Sequence, residues 1–406
     1  MRKDKISSMI VALLILLLPI NVFAANQSQV VGLDKNVKAY IIGNEENGDI
    51  YYEKNSTTPY PMASLSKLMT YLIVKEKIDE GELSLDQEVT VDKEAAKFHS
   101  WKYSYLGLDE GEVYTIEELL QGLMVVSGND CAYQLAVSVS DSESEFARLM
   151  NMKAGELGLD SQVYYNASGV QTESGNQNSS SAMDLFVLSK YIIEKYPEVL
   201  EYSKVRKIED KRRDINVEST IPLVGEIPGV NGLKTGSTEE AGYCLVSTVD
   251  MKEIDSKDDF RTIGVVLGAD QKDTRNKAMS DLIYYVSRYY DKLRVLDTNV
   301  SYDSLKVNTA KQGYVELYPN QNVDLVVKTG ENPAVKTKLQ QDIKAPIKSG
   351  QVLGNANVTY EDKEYDVSLI SKSDIDQASL FARTLRSFED AADFLLKVLI
   401  ARWDHL

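Results

Sequence analysis

Ala63-Ser64-Leu65-Ser66-Lys67-Leu68-Met69-Thr70 is the stretch that decides how this chain reads. It sets a serine and a lysine three residues apart at the first turn of an expected helix, and residues at that spacing are neighbours on a helical surface. Leu65, Leu68, Met69, Leu72 and Ile73 recur with the helical period and predict one buried face, with Ser64 and Lys67 on a different one. Gly81 is the expected stop. The positive end of the helix dipole then faces a hydroxyl beside an amine. A neutral lysine can take the proton of that hydroxyl, and the oxygen can attack a carbonyl. A helix-start serine with a solvated lysine one turn on would look the same, so the residues downstream must decide between the two.

The chain has 406 residues, 43% of them hydrophobic, enough for two or more domains around sizeable cores. Arg2, Lys3 and Lys5 precede an apolar run from Met9 to Leu18, and Val22-Phe23-Ala24 supplies a small-residue cleavage site. The run is short for a membrane span, so residues 1–24 are expected to be a secretory signal removed after Ala24. Its removal takes three Lys/Arg and one Asp from the 45 Lys+Arg and 62 Asp+Glu of the chain, leaving a net charge of −19. So acidic a surface repels phosphate backbones, which argues against nucleic acid as a partner. Cys131 and Cys244 make no disulfide framework and read as buried small hydrophobes. His99 and His405 are too few and too scattered for a zinc site, so no metal is expected.

In chain order, strands at Val37 to Gly43 and Asp49 to Lys54 are joined by the hairpin signal Asn47-Gly48. Asp86 to Tyr114 reads as loop. Thr115-Ile116-Glu117-Glu118 is a capping box that opens a helix through Leu119, Leu120, Leu123 and Met124. Helices are expected at Cys131 to Ser138, Glu143 to Leu157, Ala182 to Glu194 and about Asn276 to Leu293. Strands are expected at Gly232 to Thr238, Gly242 to Val249 and Arg261 to Leu267. Two strands first, helices between and three strands last predict a mostly antiparallel sheet covered by helices, its first and last strands adjacent, over residues 30–292. Short alternating segments over 295–372 predict a small all-β module. Residues 379–406 form an expected amphipathic helix: Phe381, Leu385, Phe388, Ala392, Leu395, Leu399, Trp403 and Leu406 make an apolar stripe, and Arg383, Arg386, Asp390, Asp393, Lys397 and Asp404 lie opposite.

Three short motifs stand in order: Ser64-Leu65-Ser66-Lys67, Ser127-Gly128-Asn129 and Lys234-Thr235-Gly236. The order S-x-x-K, S-x-N, K-T-G marks penicillin-interacting serine acyl-transfer enzymes. The chain resembles, in particular, the D-alanyl-D-alanine carboxypeptidases among the low-molecular-mass penicillin-binding proteins. The likeness extends through Ser127-Gly128-Asn129-Asp130, Lys234-Thr235-Gly236-Ser237-Thr238 and Ala241-Gly242-Tyr243-Cys244-Leu245 to the signal, the β module and the terminal helix. It implies an α+β fold: a penicillin-binding/β-lactamase-like transpeptidase domain, an antiparallel sheet flanked by helices, followed by a small all-β domain and a C-terminal amphipathic helix. A second S-G-N at Ser174-Gly175-Asn176 and a second K-T-G at Lys328-Thr329-Gly330 read as coincidences, one in a polar run and one outside the catalytic domain.

Physical need and the resemblance give the same roles. Ser64 is the nucleophile, and Lys67, if desolvated and near another cation, takes its proton. Ser127 shuttles a proton to the leaving amine, while Asn129 holds the substrate amide. Lys234 is the neighbouring cation and, with Thr235, binds a terminal carboxylate. Gly236 lets substrate approach the strand backbone. The N–H groups of Ser64 and Ser237 form an oxyanion hole, where one donor is worth ~3–4 kcal/mol. Asp130 and Tyr243 are expected to be structural. The expected partners are a peptidoglycan stem pentapeptide, β-lactams as covalent inhibitors, and the membrane surface under the terminal helix, with no cofactor. The expected location is the outer face of the cytoplasmic membrane. A β-lactamase-like hydrolase and a catalytically silent wall-binding protein are the competing alternatives. No acid between Ser127 and Lys234 stands in a recognisable deacylation setting, which disfavours the first, and the intact motifs disfavour the second.

Overall fold

Strands β1 (Ala39–Asn44), β2 (Ile50–Lys54), β3 (Val230–Thr238), β4 (Gly242–Asp250) and β5 (Arg261–Ala269) form one antiparallel sheet in the order β2-β1-β5-β4-β3. They belong to a computed structural model whose described residues are 36–100 and 103–403, so the expected signal segment lies outside them. The hairpin expected at Asn47-Gly48 joins β1 to β2; Asn44 Oδ1 accepts from the N–H groups of Glu46 and Asn47, and Gly48 takes φ +79°. The opening and closing strands pair from Ala39–Leu267 to Asn44–Thr262, as expected.

Ile41 and Ile42, and Val265, Val266 and Leu267, are consecutive and all fully buried. A sheet in which neighbours along a strand are both buried must be covered on both faces. Helix α5 (Ala182–Lys195) covers one: the Phe186 ring lies where a side chain on Gly43 would point. Helix α6 (Lys272–Tyr289) covers the other, with Met279 against Gly264.

The helix after the Ser64 turn departs from expectation. Ala63–Ser66 is a 3-10 turn, and α1 (Lys67–Asp79) then has every residue from Lys67 to Lys75 buried, rather than one face. It is a central helix packed on all sides, its leucines contributing roughly 1.5–3 kcal/mol each on burial. Two of its polar residues are tied there: Thr70 Oγ1 donates to Ala167 O at 2.7 Å, and Lys75 pairs with Glu198 at 2.8 Å. Around it stand α2 (Ile116–Val125), opened by the Thr115–Glu118 capping box, α3 (Asn129–Val139) and α4 (Glu143–Glu156).

Asp86 to Tyr114 is not plain loop. Glu88–Thr90 and Val113–Thr115 pair as antiparallel strands, with a short helix at Lys93–Ala96 between them. Three-residue strands are shorter than any window in which a period can be measured. The helix expected to reach Leu293 ends at Tyr289, and Tyr290–Leu296 is a strand paired with Val323–Lys328.

By internal packing the chain divides into two units, one running to Asp250 and including Arg261–Tyr285, the other comprising Met251–Phe260 and Val286–Leu406. In the second unit Asp303–Lys306, Tyr314–Pro319, Lys363–Ile370, Val352–Tyr360 and Ala334–Leu339 make a five-stranded sheet in that order. Here burial alternates, Val315 and Leu317 inward between outward Tyr314 and Glu316, so one face packs and one is solvated. Helix α7 (Leu380–Trp403) is fastened to this unit by Arg386, whose guanidinium donates to the carbonyls of Asn308, Ala310 and Lys311 at 2.6–3.1 Å. Phe381, Leu385, Phe388 and Leu395 are exposed on it. Among the described residues no helix is long and apolar enough to cross a membrane.

Candidate active site

Lys67 Nζ stands 2.8 Å from Ser64 Oγ, 2.8 Å from Asn129 Oδ1 and 2.8 Å from the carbonyl oxygen of Ser168. Three oxygens on one ammonium satisfy it in full, which is what a lysine with 0% exposure requires. Burial nevertheless favours its neutral form and holds it down to about 7, from an ordinary 10.5, against the weaker opposing pull of Asp130, Cys131 and Glu143. Lys67 can therefore both hold and give up a proton near neutrality.

The turn that carries Ser64 is fixed by close backbone approach. Ala63, just before the nucleophile, has φ +49°, a sparsely populated conformation for a residue with a side chain. A Cβ on Gly169 would lie 1.9 Å from Ala63 O, and one on Gly236 would lie 2.8 Å from Met62 O and 3.0 Å from Ser64 N. The strand β3 and the segment 166–169 thus grip the turn from two sides, and only glycine permits it. At Gly236 the space a side chain would take is held by the nucleophile's own backbone.

The second motif folds around a buried carboxylate. Asp130 accepts N–H groups from Leu106, Gly107, Leu108 and Cys131 at 2.8–3.1 Å, so it pins the segment 104–108 beside α3. Ser104 O then accepts from both the main-chain N–H and the side-chain amide of Asn129, at 2.9 and 3.1 Å. This orients the amide so that its oxygen faces Lys67. Ser127 is buried at φ +62°, like Ala63 a non-glycine residue in the left-handed region. Cys131 and Cys244 are free and fully buried.

On β3, Lys234 is fully buried with Nζ donating to Thr235 O at 3.1 Å. Burial, then the charges of Lys67 and Arg275, hold it well below the ordinary lysine range. Thr235 Oγ1 donates to Thr220 Oγ1 at 2.9 Å, while the Ser237 side chain is exposed opposite Tyr243. Gly236 brings the backbone of the Ser64 turn against this strand, and the Lys67 charge acts on Lys234. The duplicates lie elsewhere: Ser174-Gly175-Asn176 forms an exposed turn closed by Thr172 N–H to Asn176 O, and Lys328 pairs with Glu361.

Several residues escaped the sequence. Ser168 supplies the third acceptor for Lys67, and Asn166 Oδ1 holds the Ser168 and Gly169 N–H groups at 3.2 and 2.7 Å. Asn178 anchors that segment in turn, its amide donating to Asn166 O at 2.8 Å. Glu143 accepts from Ala167 N–H at 3.2 Å and faces Lys67 electrostatically, and Arg275 lies near Lys234. Asn166-Ala167-Ser168-Gly169 carries only the signal of a turn, and Glu143 that of an acid in a first helical turn.

Comparison with known proteins respects the same division. The family described as D-alanyl-D-alanine carboxypeptidase matches residues 23–271, and the penicillin-binding protein 5 C-terminal domain matches residues 290–377. The D-alanyl-D-alanine carboxypeptidase DacF of Bacillus subtilis is 30% identical over 407 residues, covering 97% of this chain and 100% of that protein. The crystal structure of a peptidoglycan synthesis regulatory factor (PBP3) from Streptococcus pneumoniae matches with a TM-score of 0.68 and 26% identity, over 84% of this chain and 99% of that one. Penicillin-binding protein D2 from Listeria monocytogenes, solved in a cefotaxime-bound form, matches with a TM-score of 0.54 and 32% identity, over 61% of this chain and 96% of that one. With motifs, fold and relatives in agreement, this chain belongs to the D-alanyl-D-alanine carboxypeptidase family of the low-molecular-mass penicillin-binding proteins, serine hydrolases of peptidoglycan metabolism.

Proposed function

We propose that this protein removes the terminal D-alanine from peptidoglycan pentapeptides through an acyl-Ser64 intermediate, with the first unit carrying the chemistry. The observation that carries it is the 2.8 Å contact of Ser64 Oγ with a Lys67 whose proton is loosely held near neutrality. Neutral Lys67 takes the Ser64 proton as the oxygen attacks the carbonyl of the penultimate D-alanine. Negative charge on that carbonyl oxygen falls to the N–H groups of Ser64 and Ser237, and the close packing of Gly236 on Ser64 N supports their adjacency. Ser127 passes a proton to the leaving amine, and water then hydrolyses the ester. Lys234 and Thr235 hold the terminal carboxylate, and Asn129 the substrate amide. The carboxylate of a β-lactam meets the same groups, leaving a stable acyl adduct, in keeping with the antibiotic-bound Listeria relative.

Incubating the protein with a pentapeptide muropeptide tests this by mass spectrometry: loss of one D-alanine is expected, and an unchanged mass defeats the proposal. Fluorescent penicillin adds the distinction among alternatives, a lasting adduct marking a peptidase and rapid turnover a lactamase.

The same proposal has residues 1–24 removed on export and residues 379–406 lying along the outer face of the cytoplasmic membrane. Its support is the exposed apolar side of α7, which carries Phe381, Leu385, Phe388 and Leu395. Deleting residues 379–406 should release an active enzyme from membranes; a truncated protein that still sediments with them removes the helix from that role.

A further inference from the structure

The solvated face of the β sheet in the second unit carries aromatic rings that the steps above leave unused. Tyr302 and Tyr314 are 40% and 53% exposed. A lone exposed ring is ordinary on a protein surface, but these two line one concavity of about 500 Å³ together with Ser301, Asp303, Ser304 and Glu316. Pairing of Asp303–Lys306 with Tyr314–Pro319 sets Ser304 opposite Glu316 and Lys306 opposite Tyr314, and the Tyr302 N–H donates to Leu317 O at 2.9 Å. Rings, hydroxyl and carboxylate therefore stand on a fixed ladder. Asp303 is engaged, its oxygens accepting the Ser304 N–H at 2.7 Å and the Thr337 hydroxyl at 3.0 Å. Glu316 accepts the Tyr318 hydroxyl at 2.8 Å on one oxygen, leaving the other for a ligand, and Lys372 Nζ lies 5.0 Å from the centre of the Tyr318 ring.

The carboxylates of Asp303 and Glu316 are balanced by the ammonium groups of Lys306 and Lys372, so neither a phosphate polymer nor a cationic one is favoured by the net charge. A purely apolar segment would cover Glu316 without giving it a donor. A sugar chain meets both demands: its C–H faces lie on the rings, and its hydroxyl and amide groups donate to the carboxylate. We propose that this face binds the glycan strand of the cell wall, a neutral chain of N-acetylated amino sugars. The protein belongs to a family of peptidoglycan metabolism, and that strand bears the peptides. A strand held on the β unit raises their local concentration. The inference goes beyond the cleavage reading and does not depend on it.

The test is cosedimentation of the full chain with insoluble wall glycan from which an amidase has removed every stem peptide, so that the Ser64 site has nothing to hold. The unaltered protein should pellet with it and be released by a soluble hexamer of β-1,4-linked N-acetylglucosamine. Tyr302→Ala combined with Tyr314→Ala should weaken binding about tenfold, the size of two lost ring contacts, while Tyr302→Phe with Tyr314→Phe should retain it. An unaltered protein that stays in solution, which requires no variant to fold, overturns the inference. So does equal binding by the double alanine variant, or loss of binding in the phenylalanine variant, whose rings are intact. Release by polyphosphate or polylysine but not by the hexamer assigns the face to a charged partner and overturns it too. Failure of the pentapeptide assay defeats the cleavage reading alone, because no step of this binding measurement uses a peptide.

Discussion

The same three residues, Lys-Thr-Gly, occur twice in this chain and have opposite fates. Lys234 is fully buried, and burial with two neighbouring cations depresses its proton affinity. Lys328 is 41% exposed, and its bond to Glu361 at 2.8 Å raises it. Thr235 is buried against Thr220, whereas Thr329 is exposed, its hydroxyl near the Arg288 carbonyl and the Asp291 carboxylate. Gly236 is pressed onto Met62 and Ser64, while a Cβ on Gly330 would meet nothing within 4 Å. Identical letters acquire chemistry only where an edge strand brings them against a second cation and a strained turn.

That contrast can be broken at graded points. The largest effect belongs to the shared partner of the first site: Ser64→Ala should abolish D-alanine release and penicillin labelling alike, and any lasting adduct in that variant moves the nucleophile elsewhere. Next comes Lys234→Ala, which should slow acylation by peptide and penicillin together, on the order of 10²-fold, because a buried charge that binds a carboxylate is lost. Equal rates in stopped-flow acylation would place the carboxylate elsewhere. Changing pH acts on Lys67. Its affinity in the folded chain is depressed to about 7, so the neutral base accumulates as pH rises through that value. Acylation should climb about tenfold per unit below pH 7 and level off above it. In stability the sign is the same: the unfolded chain binds the extra proton between about 7 and 10.5, so folding gains as pH rises across that window. A flat acylation profile from pH 5.5 to 8 excludes Lys67 as the base. Gly169→Ala should lower the unfolding midpoint by several degrees, about 1–3 kcal/mol, through its clash with Ala63 O. The smallest effect closes the comparison: Lys328→Ala should leave acylation unchanged and shift stability by no more than about 0.5 kcal/mol, as expected for an exposed pair.

What the sequence disclosed depended on the reach of each signal. The hairpin at Asn47-Gly48 and the capping box at Thr115 rest on local patterns, and the structure has each where the pattern sets it. The one-faced reading of Leu65 to Ile73 failed because periodicity registers apolar side chains and overlooks tied polar ones; Thr70 and Lys75 look solvated until Ala167 and Glu198 are seen to meet them. Ser168 and Glu143 were hidden for a related reason. Ser168 acts through a main-chain oxygen, which every residue possesses, and Glu143 gains its meaning from Lys67, 76 positions away along the chain. The β unit was the easier half, its strict alternation arising from one wet face.

The position of the nucleophile is specified by two absent side chains, at Gly169 and Gly236. A bacterium under antibiotic pressure would profit from an enzyme acylated more slowly by drug than by peptide, and small displacements of Ser64 would be the direct route. That route is costly in single steps, since even a methyl group at either glycine meets main-chain atoms that cannot rotate away. Adaptation would have to proceed through the walls around the serine, where side chains can be exchanged one at a time.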